Sequence, residues 1–245
     1  MIVLASSITL LQTANNCYNL FISMNSPKLA LTRPTVILLY GFPGAGKTYL
    51  ARQLCEDIQA AHLQGDRIRH ELFEAPRYDL QENQIVDHLM GYMTEEFLAA
   101  GISVVCDVNA MRATKRRELR DLARKHKANV LLIWLQIDAE SAYIRSSKRD
   151  RRKQDDKFSI EVDRTTFSKM IAHMQNPKIT EDYIVISGKH TYQTQRSAVL
   201  KKLYDSALIS GQSAGSKLVM PGMVNLVPTK AVGRVDNTRR NIVIR

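Results

Sequence analysis

Val36-Ile37-Leu38-Leu39-Tyr40 runs directly into Gly41-Phe42-Pro43-Gly44-Ala45-Gly46-Lys47-Thr48. The first five residues have the composition of a buried strand, and the next eight have the Walker A spacing G-x-x-x-x-G-K-[ST]. Glycine lets the backbone curl so that successive N–H groups point inward, which is how a loop cradles phosphate oxygens. The helix expected from Lys47 adds the partial positive charge of its N-terminus. In such a loop Lys47 reaches the β- and γ-phosphates, and the Thr48 hydroxyl holds Mg²⁺. Gly41, Phe42, Pro43, Gly44, Ala45, Gly46, Lys47, Thr48 and Tyr49 are therefore the expected triphosphate-binding residues, with ATP and Mg²⁺ as the expected cofactors. The loop is expected to be exposed and Lys47 to touch only ligand. A glycine turn that binds nothing is the alternative, and the flanking strand and helix argue against it.

The chain around this loop has 245 residues, enough for one full core. Hydrophobic content of 44% and charged content of 24% describe a folded globular protein. A formal charge of +11 favours anionic partners. That surplus is concentrated in Arg112, Lys115, Arg116, Arg117, Arg120, Arg124, Lys125 and Lys127, and again in Arg145, Lys148, Arg149, Arg151, Arg152 and Lys153. Nucleic acid is compatible with this charge, but aromatics are only 7% and do not interleave the basic runs, so base stacking is not indicated. Cys17, Cys55 and Cys106 have no metal-ligand spacing, and the histidines are scattered, so no structural metal is expected. Cys55 and Cys106 read as core fillers. Residues 1–11 are apolar but precede the first basic residue, Lys28, which fits neither a secretory signal nor a membrane span. The expected location is cytoplasmic, without membrane contact. Residues 1–23 are either an over-extended start or a floppy arm, since Met24-Asn25-Ser26-Pro27-Lys28 is a more natural beginning.

Strand and helix patterns alternate along the middle of the chain. Helix is expected over residues 47–61, with Leu50, Leu54, Ile58 and Ala61 on one face, followed by a short strand at 61–64 and a helix at 67–73. Residues 81–100 form an amphipathic helix with Ile85, Leu89, Met93 and Phe97 inward and Gly101 as its stop. A strand over 102–106 ends in Asp107, and a basic helix covers 114–127 with Leu119, Leu122 and Ala123 inward. Residues 130–137 are the most hydrophobic strand and are expected at the sheet centre. Helices at 139–152, 163–175 and 194–208 and a strand at 183–186 complete the pattern. This order implies a mostly parallel sheet covered on both faces, with ligands at the carboxyl ends of the strands. The expected organisation is an arm over 1–33, a core domain over 34–209, and a basic, flexible tail over 210–245.

Asp66 follows the second strand, where a carboxylate can orient an acceptor hydroxyl and take its proton. It also suits the N-cap of the next helix, and both readings stand. Arg69, one helical turn on, is placed to hold an anionic group of the acceptor. Asp107 closes an apolar strand, as an acid that reaches Mg²⁺ does. Asn109 either binds substrate or caps a turn. Arg145 and Arg149 are four apart and expected to share a helical face, supplying cations to a transferring phosphoryl group; the choice among Arg149, Arg151 and Arg152 is open. The alternative for this run is a solvated basic helix.

Gly41–Thr48, Asp66-x-x-Arg69, Val104-Val105-Cys106-Asp107 followed by Arg116-Arg117, Arg145-x-x-x-Arg149 and Pro177-x-x-x-Glu181 together resemble the P-loop kinases grouped with polynucleotide kinase and the zeta toxins, also known as AAA-type ATP-binding proteins. The resemblance spans roughly residues 34–205. It implies a P-loop NTPase three-layer sandwich with an Arg-bearing helical lid, ATP and Mg²⁺ as cofactors, and γ-phosphate transfer to a hydroxyl. It also implies Asp66 as the acceptor-activating residue and Arg69 and Arg145 as substrate contacts. The arginine-finger and sensor organisation of an oligomeric AAA+ motor is not visible. The expected activity is an ATP-dependent kinase acting on a nucleic-acid end or a small metabolite; an ATPase or nucleotide-dependent switch is the alternative, and Asp66 with Arg69 favours the kinase.

Overall fold

Each of the six residues of β1 (Thr35–Tyr40) is buried, as expected for a strand covered on both faces. The computed structural model of the protein describes residues 28–108 and 112–209. Along β1 the side chains alternate between two cores. Ile37 and Leu39 pack with Leu50, Leu54, Ile133, Phe167 and Leu200, while Val36, Leu38 and Tyr40 pack with Val86, Met90, Cys106 and Leu119. The first core is closed by α1 (Lys47–Asp57), α5 (Ala139–Ser147), α6 (Arg164–Ala172) and α7 (Tyr192–Asp205). The second is closed by α2 (Gly65–Leu72), α3 (Leu80–Ala99) and α4 (Ala113–Lys125). The result is a three-layer α/β sandwich.

The sheet has the order β2-β3-β1-β4-β5 and every pairing is parallel, with β2 (Ala60–Gln64), β3 (Ser103–Asp107), β4 (Asn129–Gln136) and β5 (Tyr183–Ser187). The central strand is therefore β1, not the more hydrophobic β4. Leu38 pairs with Cys106 on one side and Leu132 on the other, so hydropathy alone does not rank two strands that are both covered. The strand order reverses at β1, which opens a crevice beyond its carboxyl end.

Several boundaries differ from the sequence pattern. Helix α1 stops at Asp57; Ile58 is extended (φ −116°, ψ 153°) and bridges Leu29, whose N–H donates to the Asp57 carbonyl at 2.8 Å. Leu29 and Ile58 are both core residues, so the packed body reaches into the segment read as an N-terminal arm. Leu208 and Ile209 close it at the other end. In α3 the buried stripe is Glu82, Val86, Met90, Thr94 and Leu98, one residue out of phase with the expected one, and Ile85 is half exposed. Two polar members disguise that face. Thr94 satisfies its hydroxyl on the Met90 carbonyl at 2.7 Å, and Glu82 accepts from Arg69, Arg77 and Tyr78. After Ser147 the chain forms turns over 148–158 in place of the expected helical lid, and Arg149 lies outside α5. Arg52 of α1 grips this segment through Asp155, with Nε at 2.8 Å and Nη2 at 3.2 Å from the two carboxylate oxygens. Helix α6 ends three residues early, at Ala172. Among the described residues no helix is long and apolar enough to cross a membrane.

Arg116 is the largest fully buried side chain among the described residues, although it falls in one of the two basic runs. Its Nε and Nη2 fork onto Glu181 at 2.8 and 2.9 Å, and Nη1 donates to the Gln175 carbonyl at 2.8 Å. Arg120 joins the same carboxylate, and the Arg116 guanidinium lies 5.2 Å from the Tyr40 ring centroid. This cluster fastens α4 and the segment before β5 beneath the end of β1. Arg116, through hydrogen bonding, holds the Glu181 carboxyl down at about 2. Because its folded value lies below the unfolded one, that contribution is present above about pH 4.5 and lost as pH falls toward 2. Arg116→Met should lower stability by about 3 kcal/mol, the usual cost of stranding half of a buried pair. Glu181→Gln should remove this residue's own part of the acid-dependent loss between those pH values, read by denaturant unfolding at a pH series. A wild-type pH profile in both variants would show that the cluster is energetically idle.

Candidate active site

The loop between β1 and α1 is shaped by two left-handed glycines, Gly44 (φ +82°) and Gly46 (φ +95°), the second being the N-cap of α1. At Gly44 packing adds to the backbone demand: a Cβ there would sit 2.2 Å from the Ala142 carbonyl oxygen of α5. Gly188, just beyond β5, presses equally hard from another side, since its Cβ would lie 2.6 Å from the Ala45 carbonyl oxygen. Gly188 carries no sequence motif and was not singled out. The loop is thus wedged between α5 and the end of β5, and most of it is covered, contrary to the expectation of an exposed loop.

Lys47 is 4% exposed. Its Nζ donates to the carbonyls of Gly41 at 2.9 Å and Phe42 at 3.0 Å, so the lysine touches its own loop as well as any ligand. Burial lowers its pKa to about 8, an effect partly offset by the negative charge of Asp107. Thr48 donates its hydroxyl to Asp107 Oδ2 at 2.6 Å. That pair joins the first turn of α1 to the last residue of β3, and it offers a hydroxyl and a carboxylate oxygen side by side. Such hard oxygen donors suit Mg²⁺, which is bound by one or two protein groups and keeps several waters. His62 on β2 lies 3.8 Å from the same Asp107 oxygen. Tyr49 sits on the outer side of α1, edge-on to Tyr192 with ring centroids 6.2 Å apart.

Asp66 is the second residue of α2, whose N-cap is Gln64, so it does not occupy the capping position. Burial raises its pKa, the nearby Asp107 charge raises it further, and Arg149, Arg69 and Lys47 pull the other way. Those causes place Asp66, Asp107, Lys47 and Arg149 within one electrostatic neighbourhood. Arg69 is nearly buried. Its Nη1 pairs with Glu82 at 3.1 Å, its Nη2 donates to Asn83 at 2.7 Å, and the Tyr78 ring covers the guanidinium at 4.5 Å. Glu82 and Tyr78 were not foreseen: a buried glutamate on an amphipathic helix leaves no periodic trace.

The basic segment divides sharply. Arg149 is half-buried and faces the cavity, whereas Arg145 donates to the Gly188 carbonyl at 2.9 Å. The expected shared helical face is therefore absent, because α5 ends between them. Arg152 is 93% exposed and pairs with Asp150. Asn109 lies outside the described residues. Pro43, Gly65, Asp66, Arg69, Asp107 and Arg149 line one end of a cavity of about 600 Å³ that extends to α4 and α6. Cavities of roughly 300–1,000 Å³ hold compounds the size of metabolites.

Solved structures share this architecture at low sequence identity. A sugar kinase from Janibacter sp. HTCC2649 has 16% identity and a TM-score of 0.52, covering 73% of this chain and 99% of its own. The Mycobacterium tuberculosis APS kinase CysC, in complex with AMPPNP and APS, has 18% identity and a TM-score of 0.52, covering 73% and 99%. Chaetomium thermophilum Kti12, in complex with ADP-AlF3, has 15% identity and a TM-score of 0.54, covering 72% and 100%. No curated protein matches the sequence. The fold is that of the P-loop kinases. The family model described as AAA domain matches residues 36–177, from the start of the central strand past α6, and the chain belongs to that family, AAA_33.

Proposed function

We propose that the protein is an ATP-dependent kinase that transfers the γ-phosphoryl group to a hydroxyl of an acceptor bound in the 600 Å³ cavity. The observation that carries this reading is Asp66. Its carboxyl lines an acceptor-sized cavity beside the phosphate loop, and its raised pKa makes it a stronger base than an ordinary carboxylate. Hydrolysis or a nucleotide switch needs no such cavity. The similarity in fold to a sugar kinase and an APS kinase supports the same class of reaction.

In the proposed reaction the acceptor oxygen forms a bond to the γ-phosphorus while the bond from that phosphorus to the β-γ bridging oxygen breaks, leaving ADP. The acceptor proton passes to Asp66. Lys47 and Arg149 stabilise the charge that spreads over the phosphoryl oxygens. Thr48 and Asp107 would hold Mg²⁺, which neutralises phosphate charge when bound. Arg69, paired with Glu82, positions α2 and with it Asp66.

Lys47→Ala should weaken ATP binding by roughly tenfold or more, since a charge-assisted contact is worth about 1.5–3 kcal/mol. It should also lower the melting temperature slightly, because two loop carbonyls lose a donor. Calorimetry and circular dichroism read the two effects separately, and unchanged ATP affinity in a folded variant would defeat the nucleotide assignment.

Asp66→Asn should leave ATP affinity nearly intact and reduce phosphoryl transfer by about 10² to 10⁴, the usual worth of a positioned general base. In the wild type the rate should fall as pH drops through the raised Asp66 pKa, and the variant should lack that limb. The test is transfer of labelled γ-phosphate across 5′-hydroxyl RNA and DNA, sugars, nucleosides and aminoglycosides. Full transfer activity in Asp66→Asn would remove the residue from the mechanism.

A further inference from the structure

Sequence spacing assigned the acceptor's anionic group to Arg69, but the charge of Arg69 is already met by Glu82 at 3.1 Å under the Tyr78 ring. Uncommitted cations lie at the other end of the same cavity. Arg112, the N-cap of α4, and Lys169, on α6, both line it, and neither has a carboxylate partner among the described residues. His173, one residue beyond the end of α6, lines the same wall. The Ala113 N–H at the start of α4 donates to Gln175 Oε1 at 2.8 Å, which ties α4 to the segment that follows α6. The acids on this wall are Asp87 and Glu118. Glu118 is engaged with Lys115 at 3.5 Å, whereas Asp87 accepts from Lys115 only through its backbone carbonyl, at 3.3 Å, and its carboxylate has no cation partner among the described residues. The first turn of α4 carries no acid, so the positive end of that helix adds to the field. The lining also includes the apolar residues Val86, Val108, Ile160, Val162 and Met170.

The cavity is thus lined by Asp66 and Pro43 of the phosphate loop, by apolar side chains, and by two cations that have no carboxylate partner among the described residues. Resting on the kinase reading above, we infer that the acceptor is a small hydroxyl compound bearing a phosphate-type anionic group at the end remote from its reacting hydroxyl, held by Arg112 and Lys169. A volume of about 600 Å³ suits a compound the size of a phosphorylated sugar or nucleoside.

The test uses pairs of probes that differ only by the phosphate: ribose and ribose 5-phosphate, glycerol and glycerol 3-phosphate, adenosine and its 5′-monophosphate, with a 5′-hydroxyl oligonucleotide alongside. Binding is measured by calorimetry on the full chain saturated with a non-hydrolysable ATP analogue, and transfer is measured separately with labelled ATP. The phosphorylated member of at least one pair should bind roughly tenfold or more tightly than its neutral counterpart, the worth of one charge-assisted contact. The Arg112→Ala/Lys169→Ala variant, shown to be folded by circular dichroism, should lose that difference. Arg112→Lys should restore part of it in the Lys169 background, which loss of a merely structural residue would not require. Equal binding by both members of every pair, retention of the difference in the double variant, or preference for the oligonucleotide overturns the inference. Efficient transfer to a neutral acceptor with no gain from phosphate overturns it while upholding the kinase. Phosphate-dependent binding at Arg112 and Lys169 without transfer to any probe that binds supports the anion site and counts against the kinase.

Discussion

The candidate site depends on keeping the backbone of residues 41–46 curled. The sequence alone does not enforce that shape. Left-handed Gly44 and Gly46 permit it, and close approach of α5 and the end of β5 holds it, with contacts that leave no room for a single methyl group at Gly44 or Gly188. The wedge has electrostatic consequences. It buries Lys47 against loop carbonyls, which lowers its pKa, and it fixes the start of α1 so that Thr48 meets Asp107 from β3. One packing constraint thereby sets the position of a cation and a hydroxyl from α1 beside a carboxylate from β3.

A second level of organisation surrounds Asp66. Its helix is anchored by Arg69 to Glu82 of α3, and Glu82 also accepts the N–H groups of Arg77 and Tyr78 in the intervening loop. A single buried carboxylate therefore ties together α2, the loop after it and α3. Arg69 turns out to be held by protein on two of its nitrogens, which makes it a support for α2 and Asp66.

How much of this was legible from sequence follows from the range of each interaction. The loop from Gly41 to Thr48 is local, so its spacing revealed the fold and where the loop sits in it. The covered strands were equally plain, because continuous apolar runs are what a doubly covered parallel sheet demands. Asp107 was found because the end of an apolar strand marks an acid. Phase on α3 was misread by one residue because Glu82 and Thr94 are buried through hydrogen bonds that hydropathy does not register. The pairing of Arg116 left no trace in the local pattern because its partner Glu181 lies 65 positions away. The end of α5 was placed too late because Lys148 to Arg152 remain compatible with helix, and only the turns gripped by Arg52 show that the chain departs there.

That grip is one attachment of the segment bearing Arg149. Arg52 and Asp155 meet through two nitrogens and two oxygens, and each is only about a quarter exposed. At the other end of the segment the Phe158 ring lies 5.8 Å from the His70 ring of α2, and Ser159 beyond it is buried. The segment is therefore tied to α1, which also carries Lys47, and to α2, which also carries Asp66. Its position is set by the same two helices that set the cation and the carboxylate it lies beside.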